Sequence, residues 1–316
     1  MRTLVSGSRG FIGRALVAQL QAGGHDVHRI VRSGPRPGDA VLDPATSTLD
    51  LSRLPGGTLD GVDAVFHLAG EPITPWRWSA AKRERIRASR VVTTSTVARA
   101  IAACDGTPPA LLAMSAVGYY GSRGDELLDE RSAAGTGTLA DVCRAWEAAT
   151  APASAAGARV VNVRTGVVLG AGGGSLRAQV PLFRAGLGGR LGSGRQWTSW
   201  ISLADEVGAL IHVAHDSSID GPCNATSPEP VRNDELTRRL AAAVGRPARF
   251  AVPELVLRIA AGAETTREVL TASQRVTPAV LERTGYTFAH RDIDAALAAA
   301  LPTGRAGRAA GRGTGT

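Results

Sequence analysis

The chain has few of the residues that build disulfide frameworks, metal sites or membrane helices. Its 316 residues include only three cysteines, Cys104, Cys143 and Cys223, which are widely spaced and form no Cys-x-x-Cys pair. This spacing argues against a zinc or redox motif, so no metal site is expected. No apolar run reaches the ~18 residues that a membrane-spanning helix needs, and no charged and apolar leader precedes the first predicted strand. We therefore expect a reduced protein of the cytoplasm that does not contact a membrane.

Acidic residues are outnumbered as well. There are 36 lysines and arginines against 28 aspartates and glutamates, which gives a net charge of +8 and a pI near 10.5. A basic balance suits an anionic ligand such as a phosphorylated cofactor, and a coding bias towards alanine, glycine and arginine also produces it. Because no RNA motif accompanies the charge, nucleic acid is not the expected partner. With 44% hydrophobic residues, the chain can bury the core of one large or two small globular domains.

The first residues of the chain carry a glycine motif. Residues 3–6 read as a short buried strand, and Gly7, Gly10 and Gly13 then lead into an apolar-periodic helix that begins at Phe11. A turn of this kind directs backbone N–H groups to one point, and the helix N-terminus adds about half a positive charge there. The motif predicts a pyrophosphate site of the dinucleotide type. Its residues are Gly7, Ser8, Arg9, Gly10, Phe11, Ile12 and Gly13.

The end of the second predicted strand, at 25–32, indicates which dinucleotide binds. NAD-binding proteins place a carboxylate there for the free 2′-hydroxyl of the ribose. This chain has Arg32 and Ser33 instead, with Arg9, Arg29 and Arg36 nearby. Because a guanidinium matches a 2′-phosphate in charge and shape, we predict NADP(H) as the cofactor.

Strand and helix patterns alternate along the chain. Further strands are predicted at 63–70, 110–115, 158–168 and 221–226, with helices at 77–103, 137–149 and 205–215, whereas the polar stretch 33–61 shows no clear strand. The alternation predicts the α/β class, as a Rossmann doubly wound parallel sheet with helices on both faces. Ligands bind such sheets at the carboxyl ends of the strands. Gly7, Gly70 and Ser115 would share that edge.

Other motifs are shared with one known family. They are Leu68-Ala-Gly-Glu-Pro-Ile73, Ser115-Ala-Val-Gly-Tyr-Tyr-Gly121, Trp146-Glu147, Arg164-Thr-Gly-Val-Val-Leu-Gly170 and Gly192-Ser-Gly-Arg-Gln-Trp197. With them the chain resembles, over residues 1 to about 300, the atypical extended short-chain dehydrogenase/reductases of the NAD-dependent epimerase/dehydratase superfamily. Within that superfamily it is most similar to a subgroup of epimerase-like oxidoreductases that have no firm substrates.

The resemblance implies a division of labour along the chain. Residues 1–170 would form the NADP-binding Rossmann domain, completed by about 199–226, and residues 171–198 and 227–300 a small C-terminal α/β lobe that binds the substrate. In that lobe Asn233 is expected to cap a helix at 234–244, and residues 301–316, which lack apolar content, are expected to be disordered. The implied cofactor residues beyond the glycine turn are Arg32, Ser33, Leu68, Ala69, Gly70, Glu71, Val163, Arg164 and Thr165. For the substrate we expect Gln196, Trp197, Ser199 and Trp200, whose polar and aromatic groups suit a pocket.

Catalysis is where the chain departs from the family pattern. Standard members use a Ser or Thr at a strand end and a Tyr-x-x-x-Lys pair on the next helix, in which the lysine lowers the pKa of the tyrosine. Ser115 matches the serine position. Counting back from Glu147, the tyrosine and lysine positions fall at Leu139 and Cys143, neither of which can transfer a proton in that way.

Other groups remain as replacements for the missing pair. Tyr119 or Tyr120 could present a phenol beside the cofactor, and Glu71 could serve as an acid. The sequence therefore leaves two hypotheses. The first is an NADP(H)-dependent oxidoreductase or epimerase-like enzyme, monomeric or homodimeric, that exchanges hydride with a small carbonyl, alcohol or nucleotide-sugar substrate, with Ser115 polarising the oxygen. The alternative is a non-catalytic NADPH-binding sensor or scaffold.

Overall fold

A computed structural model describes residues 1–73 and 77–301 of the chain. The strands of this part are β1 (Arg2–Ser6), β2 (Asp26–Val31), β3 (Asp39–Asp43), β4 (Thr48–Asp50), β5 (Ala64–His67), β6 (Ala110–Ala116), β7 (Leu127–Leu128), β8 (Val160–Thr165), β9 (Val167–Leu169), β10 (Gly189–Leu191), β11 (Trp197–Thr198), β12 (Trp200–Ser202), β13 (Gly221–Ala225), β14 (Val231–Arg232), β15 (Phe250–Val252) and β16 (Arg275–Val276). The predicted disordered tail lies, from residue 302 onwards, outside the described residues.

The helices connect these strands. They are α1 (Phe11–Ala22), α2 (Ala80–Ala102), α3 (Thr138–Ala148), α4 (Ala151–Ala155), α5 (Leu176–Arg184), α6 (Leu203–His215), α7 (Asn233–Ala243), α8 (Glu254–Ala261), α9 (Ala263–Thr265), α10 (Ala279–Arg283) and α11 (Ile293–Ala300). Short 3₁₀ turns occur at Pro55–Gly57 and Val117–Tyr120, and a π-helical turn at Thr266–Leu270.

Eight strands form one central sheet in the order β13-β8-β6-β5-β1-β2-β3-β4. Each neighbouring pair is parallel except β3 and β4, which are antiparallel. The predicted α/β class, a Rossmann doubly wound parallel sheet, is confirmed. From β1 the chain builds outwards through β2, and it then crosses back to place β5 on the other side of β1. A crevice therefore forms between the carboxyl ends of β1 and β5, where such folds bind ligands.

Helices cover both faces of the sheet because successive strand residues point to opposite sides. Val5 faces α1 and α6 in one buried cluster, while its neighbour Leu4 faces α2 in another. The same alternation puts Phe66 in the first cluster and Val65 in the second. A third cluster lies around the fully buried Trp200, with residues from α5, α7 and α11. The predicted division into a Rossmann domain and a C-terminal lobe stays a prediction.

Two local predictions are wrong. The polar stretch 33–61 holds β3 and β4, whose pattern is hidden by aspartates; one of them, Asp39, is buried against Arg29, which donates two hydrogen bonds of 2.9 and 2.7 Å to it. The N-cap residue of α7 is Arg232, and Asn233 begins the helix. The Asn233 Oδ1 atom accepts a bond from the Leu191 N–H at 2.9 Å instead, a long-range contact that local pattern does not reveal.

Candidate functional site

The glycine turn after β1 has the geometry of a phosphate cradle. Gly7 has a φ of +66°, and a Cβ atom there would lie 2.9 Å from the main chain of Leu68. A Cβ at Gly13 would lie 2.2 Å from the Gly7 carbonyl oxygen, so α1 can approach β1 only without side chains at these positions. Gly10, the N-cap of α1, supplies no side-chain cap. The first-turn N–H groups therefore suit an external anion.

A cavity of about 430 Å³ opens beside this turn, and we call it the glycine-turn cavity. Ten predicted cofactor residues line it: Gly7, Ser8, Arg9, Gly10, Arg32, Ser33, Leu68, Ala69, Gly70 and Glu71. Phe11, Ile12 and Gly13 do not; the Phe11 ring instead packs so closely on Gly173 that a Cβ there would lie 2.0 Å from it. Residues that we did not predict also line the cavity, among them Ser6, Leu42, Pro44, Ser89 and Thr93.

The charges of this cavity suit a phosphorylated nucleotide. Arg32 follows the end of β2, and Glu71 is the acidic residue among the described lining residues. Glu71 accepts a hydrogen bond of 2.7 Å from Lys82, the only lysine of the chain. That bond holds the pKa of Glu71 below its ordinary value. Because Lys82 neutralises the carboxylate, the guanidinium groups of Arg9 and Arg32 give the lining of this cavity a positive charge.

A buried network of hydrogen bonds, which was not predicted from the sequence, forms part of the cavity wall. The Ser6 Oγ atom accepts bonds from the N–H groups of Leu68 and Ala69 at 3.0 and 3.2 Å, and it lies 2.9 Å from His67 Nδ1. The other ring nitrogen of His67 lies 3.2 Å from Thr93 Oγ1. Complete burial lowers the pKa of His67 to about 4, so the ring is neutral at pH 7. The sequence signal for this network was a serine, Ser6, and a histidine, His67, at the ends of the largely apolar strands β1 and β5.

Ser115, the predicted catalytic serine, belongs to a buried network. It donates a 2.6 Å hydrogen bond to Glu147 Oε1 and is only 3% exposed. Glu147 in turn forms a two-pronged ion pair with Arg164, at 2.9 and 2.8 Å. The hydroxyl of Ser115 therefore has a partner within the protein.

The two predicted tyrosines differ in accessibility. Tyr120 is fully buried, accepts a bond from Arg164 at 3.0 Å and donates one to Asn224 at 2.8 Å. Burial raises the pKa of Tyr120 to about 12, which opposes proton transfer at neutral pH. Tyr119 is half-buried, and the Arg164 guanidinium covers its ring at 3.5 Å from the centroid. Arg164 thus positions both phenol rings.

The remaining predicted cofactor residues lie inside the protein. Val163 is part of the core, and Thr165 donates a 2.9 Å bond to Glu206. Val163, Arg164 and Thr165 are all absent from the described residues that line the glycine-turn cavity.

The predicted substrate residues are also bound up in structural contacts. Trp200 is fully buried and donates to the Glu229 carbonyl at 2.9 Å, and Ser199 donates to the Gln274 carbonyl at 2.8 Å. Gln196 bonds to two carbonyl groups. Trp197 donates to Asp125 at 2.8 Å and stacks between two arginines. None of the four predicted substrate residues is among the described residues that line the glycine-turn cavity or a second cavity at the start of α3.

A second cavity, of about 310 Å³, opens at the start of α3, and we call it the α3 cavity. It is lined by Gly118, Gly121, Ser122, Thr136, Gly137, Leu139, Arg267, Glu268, Ala272 and Gln274. The first of these follow β6, which is the neighbour of β5 in the sheet, while the last come from the π-helical turn and the loop after it. The two cavities therefore lie at the carboxyl ends of adjacent strands, which are separated by about 4.8 Å in a sheet.

The fold and the glycine cradle define a Rossmann protein of the nicotinamide-dinucleotide class. Comparison with known families agrees: the model described as the NAD dependent epimerase/dehydratase family matches residues 3–222, and a domain of unknown function matches residues 252–300. The chain belongs to the NAD-dependent epimerase/dehydratase family, which confirms the resemblance.

Two similar proteins cover nearly the whole chain. An epimerase family protein of Mycobacterium bovis is 46% identical over 294 residues, covering 93% of this chain and 95% of that protein. Human epimerase family protein SDR39U1 is 35% identical over 300 residues, covering 94% and 98%. A crystal structure of the human protein with NADPH superposes with a TM-score of 0.86 at 33% identity, covering 96% of this chain and 100% of that one. The predicted cofactor, NADP(H), is thus the cofactor in the structure of this relative.

No helix within residues 1–73 and 77–301 combines the length and the apolar character that a membrane-spanning helix requires.

Proposed function

We propose that this protein is an NADP(H)-dependent oxidoreductase or epimerase-like enzyme that exchanges hydride with a small carbonyl, alcohol or nucleotide-sugar substrate. The observation that carries the proposal is the glycine-turn cavity, in which a side-chain-free cradle lies beside Arg32 and no acidic residue ends β2. Main-chain N–H groups at the first turn of α1, beside Gly10, would hold the diphosphate, and Arg32 with Ser33 the 2′-phosphate. The bound nicotinamide would supply or accept the hydride.

A second observation supports an enzyme over a binding protein. The α3 cavity lies at the end of β6, next to the strand whose end lines the glycine-turn cavity. A second concave site at the neighbouring strand end suits a substrate, because ligand pockets are few in a protein. Ser115 and Tyr120 favour the alternative, a non-catalytic NADPH-binding protein, because both hydroxyls are buried and hydrogen-bonded to other side chains of the protein.

Calorimetric titration with NADPH and NADH tests the cofactor part. Arg32→Ala should weaken NADPH binding by about 10- to 100-fold, since a hydrogen bond to a charged group contributes about 1.5–3 kcal/mol. NADH binding should change less than about threefold. Arg14→Ala is the matched control, because Arg14 is exposed on α1 and does not line the cavity. Equal losses for the two nucleotides, or no NADPH binding by the wild type, would contradict the proposal.

A further inference from the structure

We propose that Glu268, in the π-helical turn, is the group that transfers the substrate proton in the α3 cavity. This inference deepens the proposed function and rests on it. It assigns an acid–base role to the domain of unknown function at residues 252–300, which contains Glu268. π-Helical turns are rare and occur frequently at functional sites.

Glu268 is held in place at the wall of this cavity. Its side chain is only 8% exposed, and it pairs with the exposed Arg267 at 3.3 Å. The Leu139 N–H, in the first turn of α3, donates to Glu268 Oε2 at 3.3 Å. A Cβ at Gly137 would lie 2.6 Å from Glu268 Oε1. A glycine at that position therefore lets the carboxylate reach the start of the helix.

The carboxylate lies where the chain lacks the usual proton donor. The family resemblance puts the missing tyrosine at Leu139, and the structure shows that Leu139 faces the turn after β6: a Cβ at Gly118 would lie 3.4 Å from the Leu139 Cβ. Gly118, Leu139 and Glu268 all line the α3 cavity. Glu268 thus brings a titratable oxygen to the cavity wall beside the position of the absent phenol.

The neighbouring groups are less suited to the task. Ser115 and Tyr120 use their hydroxyls in the buried network and do not line this cavity. Of the described residues that line it, Arg267 and Glu268 carry charge. Arginine stays protonated in proteins, so Glu268 is the group able to exchange a proton, while Arg267 can attract an anionic or strongly polar substrate.

The chemistry requires one such group. Bound NADP⁺ would supply the hydride acceptor for the oxidation of an alcohol; as the alcohol carbon gave up its hydride, the O–H bond would break and Glu268 would take that proton. In the reverse direction protonated Glu268 would return the proton to the carbonyl oxygen, with NADPH as the hydride donor. A volume of about 310 Å³ is at the small end of the ~300–1,000 Å³ range of ligand pockets. The fitting substrate is therefore a small carbonyl or alcohol.

The experiment follows NADPH oxidation by the full-length protein with DL-glyceraldehyde, methylglyoxal and 9,10-phenanthrenequinone as probe carbonyls. Glu268→Gln should lower the turnover rate by about 10²- to 10⁴-fold, the usual contribution of a positioned acid or base. NADPH affinity, measured by calorimetry, should stay within about threefold of the wild type. Added formate should restore part of the rate to Glu268→Ala, which a purely structural role would not allow.

Glu264→Gln is the matched control. Glu264 also joins the C-terminal part to α3, by accepting a bond from Thr138 at 2.6 Å, and it accepts a second bond from Arg83 of α2 at 2.9 Å, but it does not line the cavity. Its rate should stay within about threefold of the wild type. Wild-type turnover that survives in Glu268→Gln would overturn this inference alone. If the wild type binds NADPH but turns over no probe, both this inference and the enzymatic proposal are overturned. If the wild type does not bind NADPH, the cofactor assignment itself is overturned.

Discussion

The glycine-turn cavity and the α3 cavity lie at adjacent strand ends but are built differently. The first consists largely of main chain around Gly7 and Gly10, at the N-terminus of α1 and beside the guanidinium of Arg32. The second is made by side chains brought together from distant segments, Leu139 on α3 and Glu268 in the π-helical turn. One short stretch of sequence can thus encode the glycine turn, whereas the lining of the second cavity depends on how segments that are distant in the chain pack together.

The buried network beneath β6 sharpens this contrast. Ser115 and Tyr120, which the sequence predicted to be catalytic, are hydrogen-bonded within this network to Glu147 and Arg164. Buried polar groups must be hydrogen-bonded. The predictions below alter the first cavity, the network, the buried titratable groups and the surface in turn, from the largest expected effect to the smallest.

Gly13→Val should abolish NADPH binding, with at least a hundredfold loss of affinity in calorimetry. A Cβ at Gly13 would lie 2.2 Å from the Gly7 oxygen, so the added side chain forces α1 away from the turn that forms the cradle. Gly106→Ala is the control, since its nearest contact would be an ordinary 3.4 Å. Unchanged affinity in the valine variant would show that the cradle is not the phosphate site.

Glu147→Ala should destabilise the fold by about 3–5 kcal/mol, because it leaves the buried Arg164 guanidinium without its partner. The Arg164 side chain is 4% exposed. The measurement is urea unfolding, with NADPH affinity as a second readout that should change little. Asp141→Ala, which removes an exposed ion pair with Arg144 on the same helix, should cost less than about 1 kcal/mol. Similar losses in the free energy of unfolding for the two variants would contradict the conclusion that the buried Arg164 depends on Glu147 as its charge partner.

Two buried groups should give opposite contributions to the pH dependence of stability, which cancel between about pH 4.5 and 6.5. Burial raises the pKa of Glu206 from 4.5 to about 8. The folded state therefore holds a proton that the unfolded state loses, and stability falls as the pH rises between these values. Burial lowers the pKa of His67 from 6.5 to about 4, so its contribution is lost as the pH falls through that range.

Each unit of such a pKa difference corresponds to about 1.4 kcal/mol, so thermal unfolding followed from pH 4 to 9 should show the loss due to Glu206 between about pH 6.5 and 8. Glu206→Gln keeps the shape and removes the titration, so it should flatten this loss and reveal the rise due to His67 below pH 6.5. A variant that loses stability at high pH as steeply as the wild type would refute the assignment to Glu206.

Trp197→Phe should have the smallest effect, within about threefold on NADPH affinity and on probe turnover. Its ring stacks with Arg232 and Arg275 at 4.5 and 4.6 Å and does not line the α3 cavity. Arg267→Ala, at the cavity itself, should instead raise the KM for the probe carbonyls. If the Trp197 variant shows the larger rise in KM, the substrate binds near the aromatic segment that the sequence suggested.

The sequence by itself determined the α/β class, the inner strands of the central sheet and the glycine turn. These features depend on neighbours in the chain: alternating burial defines each strand, and Gly7, Gly10 and Gly13 act within one turn. The same locality explains the prediction at Arg32, since the end of β2 meets the ribose wherever the cradle is formed.

Only the tertiary structure decided how the other polar residues are used. It buried Ser115, Tyr120, Arg164 and Trp200 in internal contacts, and it brought Glu268 to α3. The physical reason is that whether a side chain is buried, paired or open to a cavity depends on residues far away in the chain, which no local pattern encodes.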